Sequence, residues 1–226
     1  MLQVIVQIYE VGSPEEARAL AALGVDHIGV LVGEGAFPRE LPPARARAIF
    51  AAVPPPAKRV ALSLSAEPAA ILRIVEEVRP DILHLGAAEE ALPAEHVRRL
   101  KPRLPAALLM RSIGILDASS IAVAKSYLGV ADFLLLDTHL PGDPQIGARG
   151  RTHDWRLSRR IVEEVAVPAI LAGGLGPHNV AAAIRLVGPA GVDSKSLTDR
   201  ADGAVKDLGK VRTFLAAAKG LTSAMA

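Results

Sequence analysis

One stretch decides the fold of this chain: residues 167–179, which read VPAILAGGLGPHN. A short apolar run, Val167–Ala172, leads into the paired glycines Gly173 and Gly174. Pro177 then opens an amphipathic segment, and proline is favoured in the first turn of a helix. A continuous apolar run of this length is typical of a parallel strand that is covered on both faces. The stretch therefore predicts a strand, a tight glycine turn and a helix.

The same unit repeats along nearly the whole chain. Eight runs have the composition of buried strands: Leu2–Tyr9, His27–Val32, Lys58–Leu64, Asp81–Leu85, Ala107–Arg111, Asp132–Leu136, Val167–Ala172 and Ala190–Asp193. Eight amphipathic segments follow them: Pro14–Leu23, Pro43–Ala52, Pro68–Val78, Pro93–Leu100, Asp117–Leu128, Asp154–Val165, Pro177–Leu186 and Asp207–Ala218. Eight alternating strands and helices predict a single-domain α/β fold, the (β/α)8 TIM barrel, over residues 1–219. A doubly wound open sheet with fewer strands is the structural alternative. Residues 220–226 carry no pattern, and we expect a frayed tail there.

Composition excludes several classes of protein. The chain has 226 residues, of which 50% are hydrophobic and 22% charged, and this excludes intrinsic disorder. It contains no cysteine, which excludes disulfides, thiolate metal sites and a cysteine nucleophile. The net charge of +2 gives no indication of a nucleic-acid partner. No apolar run is long enough to span a bilayer and no signal-peptide pattern is present, so we expect a cytoplasmic protein without a membrane partner.

The glycines of the opening stretch indicate a phosphate site. Glycine lets backbone N–H groups approach an anion closely. The next strand runs into Ser194, Lys195 and Ser196, again small residues and donors. In barrels, the loops after strands seven and eight often bind phosphate together. The alternative is that Gly173-Gly174 is only a tight turn and Ser194–Ser196 only a polar loop.

An acid closes the sixth strand. Asp137 follows an apolar run at the mouth of the predicted barrel, where partial burial would raise the pKa of a general acid. His139 lies two residues on and would face the same side if the strand continues. The alternative is that Asp137 only caps the loop that follows.

In order and spacing, these and other motifs resemble the phosphoribosylanthranilate isomerase family of tryptophan biosynthesis. The resemblance covers nearly the full length of the chain and rests on Ser13–Ala17, Pro38-Arg39, Lys58–Val60, Leu135–Asp137 with Pro141-Gly142, Gly150–Trp155, Leu171–Leu175 with Pro177 and Asn179-Val180, and Gly191–Asp193. It implies an Amadori-type aldose–ketose isomerisation of a phosphorylated small molecule without a cofactor. It also implies that Asp137 is the general acid that protonates the ribose ring oxygen. Arg39 would bind the carboxylate of the anthranilate moiety, since a guanidinium suits two-point contact.

The chain departs from the family at four positions. Tyr9 stands where the family has the cysteine that acts as general base, and a phenol with a pKa near 10 is a poor base at neutral pH. The fourth strand ends differently, around His84. Leu197 replaces a glycine and Arg149 replaces a threonine. His84 and His139 are alternative bases, because an imidazole has a pKa near 6.5. Glu10, beside Tyr9, would serve only if its loop turned it inward.

Three hypotheses follow from these residues. The chain is an isomerase of this family with a substituted base, a diverged enzyme for another phosphorylated substrate, or a phosphate-ligand binder without catalysis. No histidine-rich or paired-carboxylate spacing indicates a metal site, so none is expected. A homodimer is possible.

Overall fold

The chain folds as a closed barrel of eight parallel strands in the order β1 to β8, with β8 paired to β1. The computed structural model describes residues 4–104, 107–140, 142, 145–147, 151–203 and 205–224. Closure between the first and last strands confirms the (β/α)8 barrel and excludes the open sheet. None of the described helices has the combination of length and apolarity that a membrane span requires.

All eight predicted strands are present. They are β1 Ile5–Ile8, β2 His27–Leu31, β3 Lys58–Ser63, β4 Ile82–Leu85, β5 Leu108–Ile115, β6 Phe133–Thr138, β7 Ala169–Leu171 and β8 Gly191–Ser194. β5 runs four residues beyond its predicted end at Arg111, because Met110 to Ile115 pair continuously with β6.

The eight predicted helices are also present. They are α1 Pro14–Ala22, α2 Pro43–Phe50, α3 Pro68–Val78, α4 Ala94–Leu100, α5 Ser119–Ser126, α6 Trp155–Glu164, α7 Val180–Val187 and α8 Leu208–Ala224. α7 begins three residues later than predicted, because Asn179 bonds back to Gly174 and Gly176 and closes a turn first. α8 continues to Ala224, and the expectation of a frayed tail from residue 220 stays a prediction. Residues 225 and 226 lie outside the described part.

Side chains alternate between the inside of the barrel and the helices, as the period of two in a strand requires. Outward residues pack with the helices in the large core. Inside the barrel a smaller cluster contains Tyr9, Val60, Ile82, Met110, Leu135, Ile170 and Ala172. This cluster fills the barrel below its carboxyl-terminal mouth, so the polar residues one layer higher face an enclosed floor.

Candidate active site

The carboxyl ends of the strands surround a pocket that contains most of the residues expected from the sequence. Its polar lining includes Tyr9, His84, Asp137, Gly173, Gly174, Ser194, Lys195 and Ser196. Its apolar walls include Phe37, Leu62 and Leu175. The expected acid and the two expected phosphate loops therefore meet at one face, as parallel barrel strands dictate. Arg39 and His139 are not among the lining residues.

Tyr9 takes part in a hydrogen-bonded chain across the pocket floor. Its hydroxyl lies 2.5 Å from His84 Nδ1, and His84 Nε2 lies 2.7 Å from Ser112 Oγ. All three residues are buried. The Tyr9 ring lies over Gly29 of β2, where a Cβ atom would collide with it. A tyrosine fits in this position because β2 offers no side chain there.

The same burial opposes a role for Tyr9 or His84 as a base. Desolvation first, and the charge of Asp193 second, raise the pKa of Tyr9 well above 10.0. Desolvation, reinforced by Arg111, lowers the pKa of His84 to about 3. Both shifts favour the uncharged forms, so burial opposes transfer of the Tyr9 proton to His84. The phenol and the imidazole therefore remain neutral.

Asp137 is held at the end of β6 by its own backbone and by two glycines. The N–H of Thr138 donates to Asp137 Oδ1 at 2.7 Å. Gly147 and Gly173 both have positive φ, and a Cβ at Gly173 would lie 2.9 Å from Asp137 Oδ1. A Cβ at Gly147 would collide with Oδ2. The glycine loop after β7 thus makes room for the acid as well as for a ligand.

Asp193 is a second carboxyl group in the pocket, and reasoning from the sequence missed it. In the sequence Asp193 stands out only as the last residue of the motif Gly191–Asp193. It stands on β8 level with Gln7 of β1, and Gln7 Nε2 donates to its Oδ1 at 3.2 Å. Gln7 Oε1 in turn lies 3.1 Å from Nδ1 of the buried His27. The alternation of side chains along β8 could have revealed Asp193. Gly191 faces the inside of the barrel, and a residue two places further along a strand points to the same side.

Burial keeps Asp193 protonated under ordinary conditions. Desolvation, and next the negative charge of Asp137, raise its pKa to about 8, against a partial opposing effect of the Gln7 hydrogen bond. Two carboxyl groups that repel each other in a desolvated pocket retain one proton between them. At neutral pH Asp193 is therefore mostly protonated beside Asp137.

Arg39 lies in a network of buried charges at the rim. Its Nη1 is 2.9 Å from Asp199 Oδ2, and its Nε is 3.2 Å from Glu10 Oε2 without the geometry of a hydrogen bond. Glu10 also pairs with Lys195. Lys206 Nζ, fully buried, lies 2.6 Å from Asp199 Oδ1. Glu10 and Arg39 both have positive φ, an uncommon conformation for residues other than glycine. The expected carboxylate-binding arginine is thus already paired with carboxylates of the chain.

The two expected phosphate loops are joined to each other. The Ser194 hydroxyl donates to the carbonyl of Leu175 at 2.7 Å, which links the loop after β8 to the loop after β7. Leu197 stands where the resemblance to the family predicts a glycine. It packs against Gly176, and a Cβ atom added to Gly176 would lie 2.9 Å from the Cβ of Leu197. The substitution therefore fills the space beside the glycine loop. Arg149, the other substituted position, lies outside the described residues.

His139 is buried, but it lies apart from the pocket lining. Its ring and Cβ occupy the space above Gly114, where a glycine Cβ would lie 2.7 Å from the histidine Cβ. The condition for His139 to face the same side as Asp137, that the strand continues, is not met, because β6 ends at Thr138 and the imidazole packs over Gly114 of β5. There it approaches Glu89 and Glu90 of the loop after β4.

Comparison with known proteins agrees with this geometry. The family model described as N-(5'-phosphoribosyl)anthranilate (PRA) isomerase matches residues 10–217. An N-(5'-phosphoribosyl)anthranilate isomerase of Methanocella arvoryzae is 37% identical over 210 residues, covering 93% of this chain and 95% of the relative.

Two solved structures match the barrel itself. One is a phosphoribosyl anthranilate isomerase in complex with reduced 1-(o-carboxyphenylamino)-1-deoxyribulose 5-phosphate. The other is a monomeric form of the dimeric enzyme of Thermotoga maritima. Each has a TM-score of 0.79 and 28% identity, and covers 96% of this chain and 99% of its own. The chain therefore belongs to the N-(5'-phosphoribosyl)anthranilate isomerase family.

Proposed function

We propose that this pocket converts N-(5'-phosphoribosyl)anthranilate into 1-(o-carboxyphenylamino)-1-deoxyribulose 5-phosphate, the compound whose reduced form one relative binds. The observation that carries the proposal is the pair of carboxyl groups, Asp137 and Asp193, beside two joined glycine- and serine-rich loops. An aldose–ketose isomerisation needs one acid and one base, and this pair supplies both while sharing one proton.

In the productive state the shared proton lies on Asp137 and the charge on Asp193. Asp137 protonates the ribose ring oxygen as the C1–O bond breaks, and the open iminium forms. The Asp193 carboxylate removes the C2 proton, and an enolamine forms. The enolamine becomes the ketone as its 2-hydroxyl loses a proton and C1 gains one, so substrate and product have the same composition. The carboxyl pair is left with its proton on Asp193 and resets by exchange.

Asp193 is better suited to act as the base than Tyr9 or His84. A carboxylate whose conjugate acid has a pKa of about 8 accepts a proton far more readily than an exposed one. Tyr9 and His84 stay uncharged in the pocket floor, so neither acts as the base. Their hydrogen bond to each other fixes the structure of that floor.

The phosphate would bind at Gly173, Gly174 and the segment Ser194–Ser196. These loops place small residues and the Lys195 ammonium at one side of the pocket. Lys195 would exchange its pairing with Glu10 for the substrate phosphate. Arg39 would bind the anthranilate carboxylate by a similar exchange with Glu10 and Asp199.

The pairing of Arg39 favours one alternative, a phosphorylated substrate without the aryl carboxylate. In that case Arg39 would keep its contacts with Asp199 and Glu10 while the carboxyl pair and the phosphate loops act as above. Binding without catalysis is the remaining alternative.

The loss of substrate fluorescence on isomerisation tests the proposal. Purified protein is mixed with phosphoribosylanthranilate generated in situ. We expect turnover, and we expect Asp137→Asn and Asp193→Asn each to lower kcat/KM by about 10² to 10⁴. Binding of a reduced, non-reactive analogue without turnover would support the binder. No binding and no turnover would leave the alternative substrate.

The remaining expectations on partners are part of the same proposal. We infer a homodimer, since the Thermotoga maritima relative is described as dimeric. Light scattering of the purified protein tests this. A cytoplasmic location and the lack of a nucleic-acid partner stay predictions from the sequence.

A further inference from the structure

Three side chains that bind metals well meet outside the proposed active site. Glu89 and Glu90 lie in the loop after β4, and His139 lies just after β6. One ligand atom of each lies within 4.8 Å of the others. The proposed isomerisation uses none of the three, and the expectation from the sequence was that no metal site exists. The adjacent glutamates gave no signal alone, because the histidine comes from a different loop.

The imidazole of His139 is held in place but lacks a hydrogen bond. The residue is 5% exposed, and within the described part of the chain its Nδ1 is buried without a partner. A buried polar atom without a partner costs about 1–3 kcal/mol, so such atoms are rare unless a water or ion satisfies them. The other contact that fixes the cluster is the Gly114 N–H, which donates to Glu89 Oε1 at 3.1 Å. Gly114 thus positions both the histidine and one carboxylate.

The charges of the cluster are also unbalanced. No ion pair of Glu89 or Glu90 is found among the residues that the structure describes, whereas Glu10 and Asp199 at the rim each pair with Lys or Arg. Two carboxylates that approach each other without a cation repel. A divalent ion would neutralise this pair and satisfy the free ring nitrogen together.

We propose that Glu89, Glu90 and His139 bind one divalent transition-metal ion of the zinc type. One imidazole nitrogen and two carboxylate oxygens suit Zn²⁺ or Co²⁺, and water would complete the coordination. Metal–ligand bonds of about 2.0 Å place tetrahedral ligand atoms about 3.3 Å apart, so ligand atoms that lie within 4.8 Å of one another must close by up to about 1.5 Å. Glu90 is exposed and has the freedom to do so.

Such an ion would join the loop after β4 to the loop after β6. The two loops already meet where Ala87 bridges Gln145, and Gln145 and Ile146 line the pocket. The ion would hold this wall of the pocket without contacting the reacting atoms. Its expected effect is on the stability of the rim.

Metal binding to the full chain tests this. Protein treated with chelator and dialysed is titrated with Zn²⁺ by calorimetry and with Co²⁺ by its visible d–d absorption. We expect one ion per chain and a higher Tm with metal. Glu90→Gln should weaken binding at least tenfold and remove the rise in Tm, and it should still fold because the side chain is exposed. His139→Asn should also weaken binding at least tenfold.

The matched control is His96→Gln, an exposed histidine on α4 beside Glu95, which should leave binding unchanged. The proposal is overturned if the wild-type protein binds no ion, or if Glu90→Gln binds as tightly as the wild type. Equal loss in His96→Gln would also overturn it, since binding would then be a surface effect. None of these outcomes depends on isomerase activity.

Discussion

Replacing Asp193 by asparagine should change how the stability of the protein depends on pH. The carboxyl group is buried in the pocket, and its Oδ1 accepts a hydrogen bond from Gln7. Asparagine has nearly the same shape and its oxygen accepts the same bond, but it has no proton to lose. The variant therefore removes one titration and leaves the packing in place.

The magnitude follows from the raised pKa. In the folded protein the pKa of Asp193 is about 8, against 3.8 for an unperturbed aspartate, and desolvation is the main cause. The folded state therefore binds this proton more tightly than the unfolded state. The resulting stability is fully present below about pH 4 and is lost as pH rises to about 8. At about 1.4 kcal/mol per unit, the full loss is roughly 6 kcal/mol.

The assay is urea unfolding of the wild-type protein and Asp193→Asn at about pH 5, 6.5 and 8. The stability of the variant relative to the wild type should rise by about 1.4 kcal/mol per pH unit over this range. Taking the difference cancels the titration of the buried histidines, which are common to both proteins. In parallel, the variant should lose about 10² to 10⁴ in kcat/KM.

Two results would refute the reasoning. Parallel curves of stability against pH would show that Asp193 is ionised in the folded protein near its ordinary pKa. Retention of kcat/KM within about tenfold would show that another group is the base.

Three further predictions concern the rest of the pocket and the barrel. Tyr9→Phe leaves His84 Nδ1 without its hydrogen-bond partner, so urea unfolding should show that the free energy of unfolding falls by about 1–3 kcal/mol. The kcat/KM should stay within about tenfold of the wild type. A hundredfold loss of kcat/KM would indicate that the phenol is the base. Gly147→Ala should displace Asp137 and lower kcat at least tenfold. The matched control is Gly35→Ala, which has nearly the same φ of 86° but open space around it, and it should only destabilise the protein by about 1 kcal/mol. Equal kcat values in the two variants would contradict the role of the space that Gly147 leaves for Asp137. Burial lowers the pKa of His27, His84 and His153 to between about 3 and about 4. The unfolded chain therefore binds their protons at a higher pH than the folded protein does, and stability should fall as pH drops from about 6.5 to about 4. A urea midpoint that stays constant across that range would contradict this prediction.

The sequence by itself determined the architecture. Eight apolar runs that alternate with amphipathic segments predict a closed barrel in which each strand is covered by the helix that follows it. The structure has all sixteen of these elements. The sequence also placed Asp137, Gly173 and Gly174 at the mouth, since their positions follow from where a strand ends. These features are local: each depends on the period and the end of one element.

Only the tertiary structure decided which groups surround these side chains. Asp193 becomes a candidate base through the dielectric of the closed pocket and the charge of Asp137, neither of which is visible in β8 alone. Arg39 is engaged by Asp199, 160 residues away. His139 leaves the pocket and joins Glu89 because a loop turns over Gly114. Protonation, pairing and ligand sets depend on groups that folding brings together. The absence of cysteine in the sequence indicates that the base expected from the family is missing. Only the fold shows that the Asp193 carboxyl group lies near Tyr9, the position where that cysteine is expected.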